Sequence, residues 1–491
     1  MKFLKSNFTP LVILYVISSS IRLLINFSTE FIPGANGAFY LANVRSIIED
    51  GTVFFKDFPL IFWIEAFVAK AIYFLGIAEI EKAIDLTCRL VDSLIPPLAI
   101  IPAYYLVKQI QTERENKFPT ILFSSLSILF ISFLILVSDF QKNSLGIVWL
   151  FCLMLWVQRS LEVKKITNYA AAFIFFILTG FTHFGCFSVA IFYIILVVGT
   201  KYLLRKKLSI KPLLITFIII AVSYFIIKYV SPPRLKIILD FPLNIFSDPV
   251  ITLFLQGEPV ISPIDLVSML LINLTGITAL IIYIRNNISL VESEKVFFLS
   301  LIVLTLFLAF PFIGIEWSQR LTYIAYVPAV PLIAFVYSRI KTRRIKNIVL
   351  VIVVAVISIS AIVRINIKPV SNMSRGPYAE LQILKERLSS DRNILLVARH
   401  GLEWWASYIL QTNVILEKAL LKVYWKRFDN MLFLVQKKEK SPFGPAGVFG
   451  LPFREPVIPD SSKLIFEGKY FNLYKSPVPP KDMSIFIERR K

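Results

Sequence analysis

The chain is 491 residues long and 56% hydrophobic, with a mean hydropathy of +0.71 and only 17% charged residues. Soluble domains carry about a quarter charged residues, so this composition excludes an ordinary water-soluble protein. Basic residues outnumber acidic ones 53 to 32, giving a formal charge of +21, and three isolated cysteines (Cys88, Cys152, Cys186) in apolar surroundings exclude a disulfide framework and a thiolate zinc site.

Apolar runs long enough to cross a bilayer follow one another from residue 10 to residue 364. They read as about 11 transmembrane helices, near 10–27, 86–107, 119–138, 141–158, 167–182, 184–200, 210–230, 263–284, 296–315, 320–338 and 345–364. The first follows Lys2 and Lys5 and is followed by no small-residue cleavage site, the pattern of a retained signal-anchor.

Basic turns mark the cytoplasmic side. Lys108/Arg114/Lys117, Arg159/Lys164/Lys165, Lys201/Arg205/Lys206/Lys207, Arg285/Lys295 and Arg339/Lys341/Arg343/Arg344/Lys346 recur after every second span, so they share one side. The apolar segment 59–76, which contains Glu65 and Lys70, decides whether the N-terminus joins them. If it does not cross, Lys2 and Lys5 fall on the same cytoplasmic side as the basic turns, which is the consistent solution. It is then a juxtamembrane helix opened by Pro59, with Trp63, Phe67, Ala71 and Phe74 on one face. The same parity puts a long first loop (28–85), the turns at 138–141, 182–184, 231–262 and 315–320, and residues 367–491 outside the cell. This last region has the length of one small α/β domain, with a helix over 379–388 and strands over 393–398, 431–435 and 463–466.

Polar residues are costly near membrane depth, and those on the expected outer side form a pattern. The first loop carries Glu30 and then Gly34-Ala-Asn36-Gly37-Ala-Phe-Tyr40, which opens an amphipathic helix over 37–50 with Asn36 as its N-cap. Asp139 and Lys142 share the next turn, where they could form an ion pair. His183 stands in the third, and Glu316-Trp317-Ser-Gln319-Arg320 in the fifth. A lysine, a histidine and an arginine suit a phosphate, and a carboxylate can take a proton from an acceptor hydroxyl. Each residue also has an ordinary structural reading: a cap for Asn36, an interfacial acid for Glu30, a packed histidine for His183 and a snorkelling Arg320.

This order of parts resembles the GT-C superfamily of integral-membrane glycosyltransferases, which includes protein mannosyltransferases, aminoarabinose transferases and oligosaccharyltransferase catalytic subunits. The likeness covers residues 1–366 and rests on Gly34-Ala-Asn36-Gly37-Ala-Phe-Tyr40, on Phe58-Pro59-Leu60-Ile-Phe-Trp63, and on the short turn with Asp139 and Lys142. It implies transfer of a sugar, with inversion, from a polyprenyl-phosphate-linked donor to a glycan, lipid or protein acceptor on the extracytoplasmic face. By the resemblance, Lys142, His183 and Arg320 would hold the lipid phosphate, while Glu30 or Asp139 would deprotonate the acceptor or hold a divalent cation, the cofactor itself being left undetermined. Asn36 stands where related motifs often carry Asp, so either Glu30 supplies the carboxylate or transfer is altered or absent. In residues 367–491, Arg399-His400-Gly401-Leu-Glu403-Trp404-Trp405 is similar to the Trp-Trp-Asp acceptor motif of oligosaccharyltransferases, with Ala406 at the acid's position. Arg399, His400, Glu403, Trp404 and Trp405, with Tyr40, are the candidate acceptor or sugar-binding set; the plain alternative is a strand-to-helix turn with two packing tryptophans.

Two other functions compete. A transporter or lipid flippase would place polar groups at midplane, where Asp92 beside Pro96-Pro97 stands alone. A non-catalytic scaffold that binds polyprenyl lipid would account for Asn36. Nucleic-acid binding is disfavoured as the meaning of the charge, because the basic residues are dispersed over turns with no basic-aromatic stripe.

Overall fold

The computed structural model describes the chain except for Met1 and residues 112–116, 206–209, 258–261, 287–288, 389–392, 438–454 and 487–491. Arg114, Lys206 and Lys207 of the basic turns, and the side chains of Lys2, Lys5 and Glu316, lie outside the described residues.

The helices run α1 (Lys2–Asn26), α2 (Gly37–Asp50), α3 (Leu60–Phe74), α4 (Ile80–Leu94), α5 (Ile100–Ile110), α6 (Lys117–Leu129), α7 (Ile131–Leu134), α8 (Gln141–Glu162), α9 (Ile166–Thr182), α10 (Phe184–Arg205), α11 (Ile210–Val230), α12 (Pro233–Asn244), α13 (Val250–Leu255), α14 (Pro263–Asn286), α15 (Glu292–Leu308), α16 (Ile315–Arg339) and α17 (Arg343–Asn366). A helix overlies each expected span. Eight helical segments are long and apolar enough to cross a bilayer among the described residues, so the expected count of eleven is not reached by length and apolarity; α9, α11 and α15 fall short over their described parts. The segment over Ile80–Ile110 is broken by Pro96-Pro97, which form a short 3-10 turn because proline offers no N–H to the preceding helix. Helix α3, at 15 residues, is about 22 Å long, less than the ~30 Å apolar thickness of a bilayer. It buries Ile61, Phe62, Glu65, Ala66 and Ala69 and exposes Trp63, Phe67, Ala71 and Phe74.

The chain divides into two compact units, and the first loop contributes to both. One unit comprises residues 1–26, 56–64 and 89–368, the helix bundle. Its core is knit by a buried ion pair. Arg22 of α1 places Nη2 2.7 Å from Asp92 Oδ1 of α4 and donates through Nε to the Asp92 carbonyl, with both side chains fully buried. The second carboxylate oxygen accepts the Asn26 amide and the Ser138 backbone N–H, each at 2.9 Å. Asp92 is therefore a fully satisfied structural partner of Arg22, which removes the feature that suggested a transporter.

The other unit comprises residues 27–55, 65–88 and 369–491. Its mixed sheet has the order β2-β1-β3-β5-β4, with β1 (Ile394–Ala398), β2 (Asn413–Leu416), β3 (Asn430–Gln436), β4 (Lys463–Glu467) and β5 (Phe471–Lys475). Central β1 is buried at every position and pairs in parallel with β2 and β3, as the uniform apolar run Ile394-Leu-Leu-Val-Ala predicts. Helix α18 (Arg375–Leu388) offers Glu380, whose carboxylate accepts the N–H groups of Lys469, Tyr470 and Phe471 and so fixes the β4–β5 turn. A Cβ on Gly468 would lie 2.0 Å from Glu380 Oε1, so only glycine fits there. Helix α2 packs against α19 (Leu402–Leu410): Phe39 meets Trp404 edge-on, and Arg45 stacks on the Tyr408 ring at 4.2 Å while pairing with Glu81 at 2.7 Å. Gly34, at φ +87°, donates its N–H to the Val370 carbonyl.

Candidate functional site

In the helix bundle, five segments that the charge pattern assigns to the outer face contribute to one cluster centred on Asp57. Its Oδ1 accepts the N–H of the next residue, Phe58, at 2.8 Å, and the buried Phe58 ring and Pro59 hold this stretch in place. The Oδ2 atom takes the Lys142 ammonium as a salt-bridge partner, and Arg234 Nη2 lies 3.8 Å from the same oxygen. Lys142 is the second residue of α8 and Arg234 the second of α12. Both cations thus sit at helix N-termini, where the dipole repels them and where unpaired amides favour an anion.

His183 stands between α9 and α10 with Nδ1 accepting the Cys186 N–H at 3.2 Å, which leaves the proton of the neutral ring on Nε2. Gly146 of α8 makes this possible, since a Cβ there would lie 2.7 Å from Cys186 Sγ. The segment bearing Arg234 is stitched to the start of α16. Gly314 donates to the Ile245 carbonyl at 2.7 Å, Val250 N–H reaches the Ile313 carbonyl, and Phe241 packs edge-on against Trp317 at 4.9 Å. Gln319 donates to Asp265 Oδ2 and to the Tyr323 hydroxyl, fixing the turn that presents the exposed Arg320.

Burial raises the Asp57 carboxyl's proton affinity, but the charges of Lys142 and Arg234, with the hydrogen bonds from Lys142 and Phe58, outweigh it and hold the group below the usual carboxylate range. Burial and then the fields of Lys142, Arg234 and Arg320, which Asp57 only partly offsets, push His183 down to about 3. Lys142, Arg234 and Asp57 thus form one group of charges beside a neutral imidazole, and Arg320 acts on the same imidazole from the first turns of α16.

Sequence reasoning found Lys142, His183 and Arg320, and the fold brings them into one electrostatic neighbourhood. It missed Asp57 and Arg234. Lys142 makes its salt bridge with Asp57, 85 residues away, whereas Asp139 is half-buried and exerts its charge on Tyr323 and Arg364.

The remaining candidates lie in the other unit. Glu30 is exposed and accepts Arg375 Nε at 2.6 and 2.7 Å. Asn36 occupies the N-cap position of α2 but makes no side-chain capping bond, correcting that expectation; its φ of −92° and ψ of 2° depart from the extended backbone that capping needs. Tyr40 is buried. The expected stacking surface is likewise not open. Trp404 and Trp405 are buried in an aromatic group with Phe31, Phe39, Tyr378 and Tyr408, and Trp405 donates its indole N–H to Asn372. Arg399 is buried against Gln436 and Glu455, and exposed His400 places Nδ1 2.9 Å from the buried Glu403 carboxylate. Desolvation raises the Glu403 carboxyl despite that contact.

No group of three or more His, Cys, Asp and Glu side chains is placed to hold a metal ion among the described residues. At Asp57 the carboxylate is engaged by two cations, Lys142 and Arg234, a set that does not fit a divalent cation.

Fold and site together define a polytopic membrane protein with the fold of GT-C glycosyltransferases and a cationic cluster between its helix ends. Among solved structures, the chain is similar to the Archaeoglobus fulgidus oligosaccharyltransferase in its apo form (TM-score 0.57, 11% identity, 84% of this chain and 65% of that one). It is similar also to the archaeal oligosaccharyltransferase AglB from that organism in complex with an inhibitory peptide and a dolichol-phosphate (TM-score 0.54, 12% identity, 84% and 64%). A third is ArnT from Cupriavidus metallidurans bound to undecaprenyl phosphate (TM-score 0.52, 11% identity, 96% and 99%). A further structure of the oligosaccharyltransferase holds zinc and sulfate. The chain spans less than two thirds of the oligosaccharyltransferase, 62–65% of its length, and nearly all of ArnT. No protein-family model matches the sequence, and no curated protein matches it significantly. Likeness at this identity establishes the fold.

Proposed function

We propose that the chain is a membrane glycosyltransferase that moves a sugar from a polyprenyl-phosphate-linked donor to a glycan, lipid or protein acceptor on the extracytoplasmic face, with its N-terminus cytoplasmic. The observation that carries the reading is the cluster of Lys142, Arg234, Arg320 and Asp57 in a membrane bundle. The solved relatives of this fold hold dolichol-phosphate and undecaprenyl phosphate. Transfer converts a phosphodiester of charge −1 into a phosphomonoester approaching −2, and cations fixed at the site favour that developing charge over the ground state.

In the step itself, the acceptor hydroxyl gives its proton to a carboxylate. Its oxygen bonds to the anomeric carbon, and the bond from that carbon to the phosphate oxygen breaks, its electron pair leaving with polyprenyl phosphate. Asp57 is the carboxylate best placed beside the cations. Purified protein in liposomes with a lipid-linked sugar tests the reading: Lys142→Met and Arg234→Ala should each lower kcat/KM at least about 100-fold, the scale of losing one charge-stabilising donor. Wild-type turnover in both variants would refute it. A non-catalytic lipid-phosphate scaffold is the second reading, favoured by Asp57 being engaged by Lys142 and Arg234; lipid-phosphate binding without transfer to any acceptor would select it.

A further inference from the structure

We propose that Asp57 occupies the position of a phosphate oxygen, so that an incoming lipid phosphate displaces it from Lys142 and Arg234 and thereby frees the carboxylate that accepts the acceptor's proton. The inference rests on the reading of this cluster as a phosphate site and adds the order of events within it.

The geometry of the two carboxylate oxygens differs in kind. Oδ1 is held by the local Phe58 N–H, whereas Oδ2 is bracketed by cations from two separate helix N-termini, α8 and α12. Such a bracket is what one oxygen of a phosphate would receive. Lys142 is buried, and a buried ammonium without a counter-ion is costly, so the site needs an anion at all times. Asp57 supplies one while the site holds no ligand. A phosphate offers oxygens enough for Lys142, Arg234 and Arg320 together, where the carboxylate has only two. Arg234 is about one third exposed and so can swing with the exchange, and Lys142 reaches on a flexible stem.

Exchange also changes Asp57 chemically. The cations are what hold its proton affinity down against burial. Once the phosphate neutralises them, burial remains, and the carboxylate becomes a stronger base beside the bond to be broken. Donor binding therefore precedes acceptor activation.

The probe is undecaprenyl phosphate, titrated into protein held in phosphatidylcholine nanodiscs. Removing the internal competitor in Asp57→Asn should tighten binding about tenfold, while transfer is lost. Lys142→Met should abolish binding. Weaker or unchanged binding by Asp57→Asn would overturn the proposal and make Asp57 a residue that positions Lys142. Binding by Lys142→Met equal to that of the wild type would instead refute the phosphate site itself. Wild-type protein gives a check independent of folding: an apolar carbodiimide, read by peptide mass spectrometry, should modify Asp57 more in the presence of undecaprenyl phosphate. Equal or lower modification would also overturn the displacement.

Discussion

Replacing Asp92 by Asn removes the charge that balances Arg22 while keeping the side chain's shape. The guanidinium would then be a fully buried cation with neutral partners alone: the Asp92 carbonyl at 2.7 Å, Ser144 Oγ at 3.1 Å and the Phe133 ring at 4.8 Å. Breaking a buried pair by neutralising one partner costs about 3–5 kcal/mol. The retained contacts place this case near 3 kcal/mol, about 150-fold in the unfolding equilibrium. Equilibrium unfolding of Asp92→Asn in mixed micelles, monitored by tryptophan fluorescence, measures it. The double change Arg22→Met with Asp92→Leu removes both charges and should restore most of the loss. A change below about 1 kcal/mol in Asp92→Asn would refute the structural role and return Asp92 to consideration as a transport residue.

Gly468→Ala forces a methyl group onto the Glu380 carboxylate and should destabilise the β4–β5 hairpin by about 1–3 kcal/mol, seen as faster amide exchange over 463–475 with the bundle unaffected. His183, depressed to about 3 by burial and nearby cations, stays neutral across physiological pH. Because its folded value lies below that of free imidazole, about 6.5, its neutral form stabilises the fold above that pH, and this contribution is lost as pH falls from about 6.5 towards 3. His183→Gln should flatten the stability profile in that window, and unfolding measured between pH 4 and 7 in both proteins decides the matter.

The bundle was legible because each apolar run is a local property of the chain. Even there, α9 and α15 stop at 17 residues, and Pro96-Pro97 breaks a helix that composition alone reads as continuous. In the sheet, β1, β3 and β4 were visible as apolar strands, whereas β2 is four residues long and β5 alternates within Phe471-Asn-Leu-Tyr-Lys475, too short to stand out. The cluster was half legible. Charge parity assigned the segments carrying Lys142, His183, Arg234 and Arg320 to one side, and Arg234 was within reach of that reasoning. Proximity in sequence made Asp139 look like the partner of Lys142, while the observed partner, Asp57, stands one residue before the Phe58-Pro59 stretch and meets Lys142 only through tertiary folding. Arg234 is placed by backbone bonds between 245–250 and 311–315, for which no local pattern exists. Trp404-Trp405 invited a ligand reading because paired aromatics on a turn look exposed; helix α19 instead turns both rings into the core.

The most direct test of the central claim is sugar transfer from a polyprenyl-phosphate-linked donor by purified protein in liposomes, comparing wild type with Lys142→Met, Arg234→Ala and Asp57→Asn. Measurable transfer by the wild type and a loss of at least about 100-fold in each variant is the predicted result. Transfer that persists undiminished in all three would contradict it.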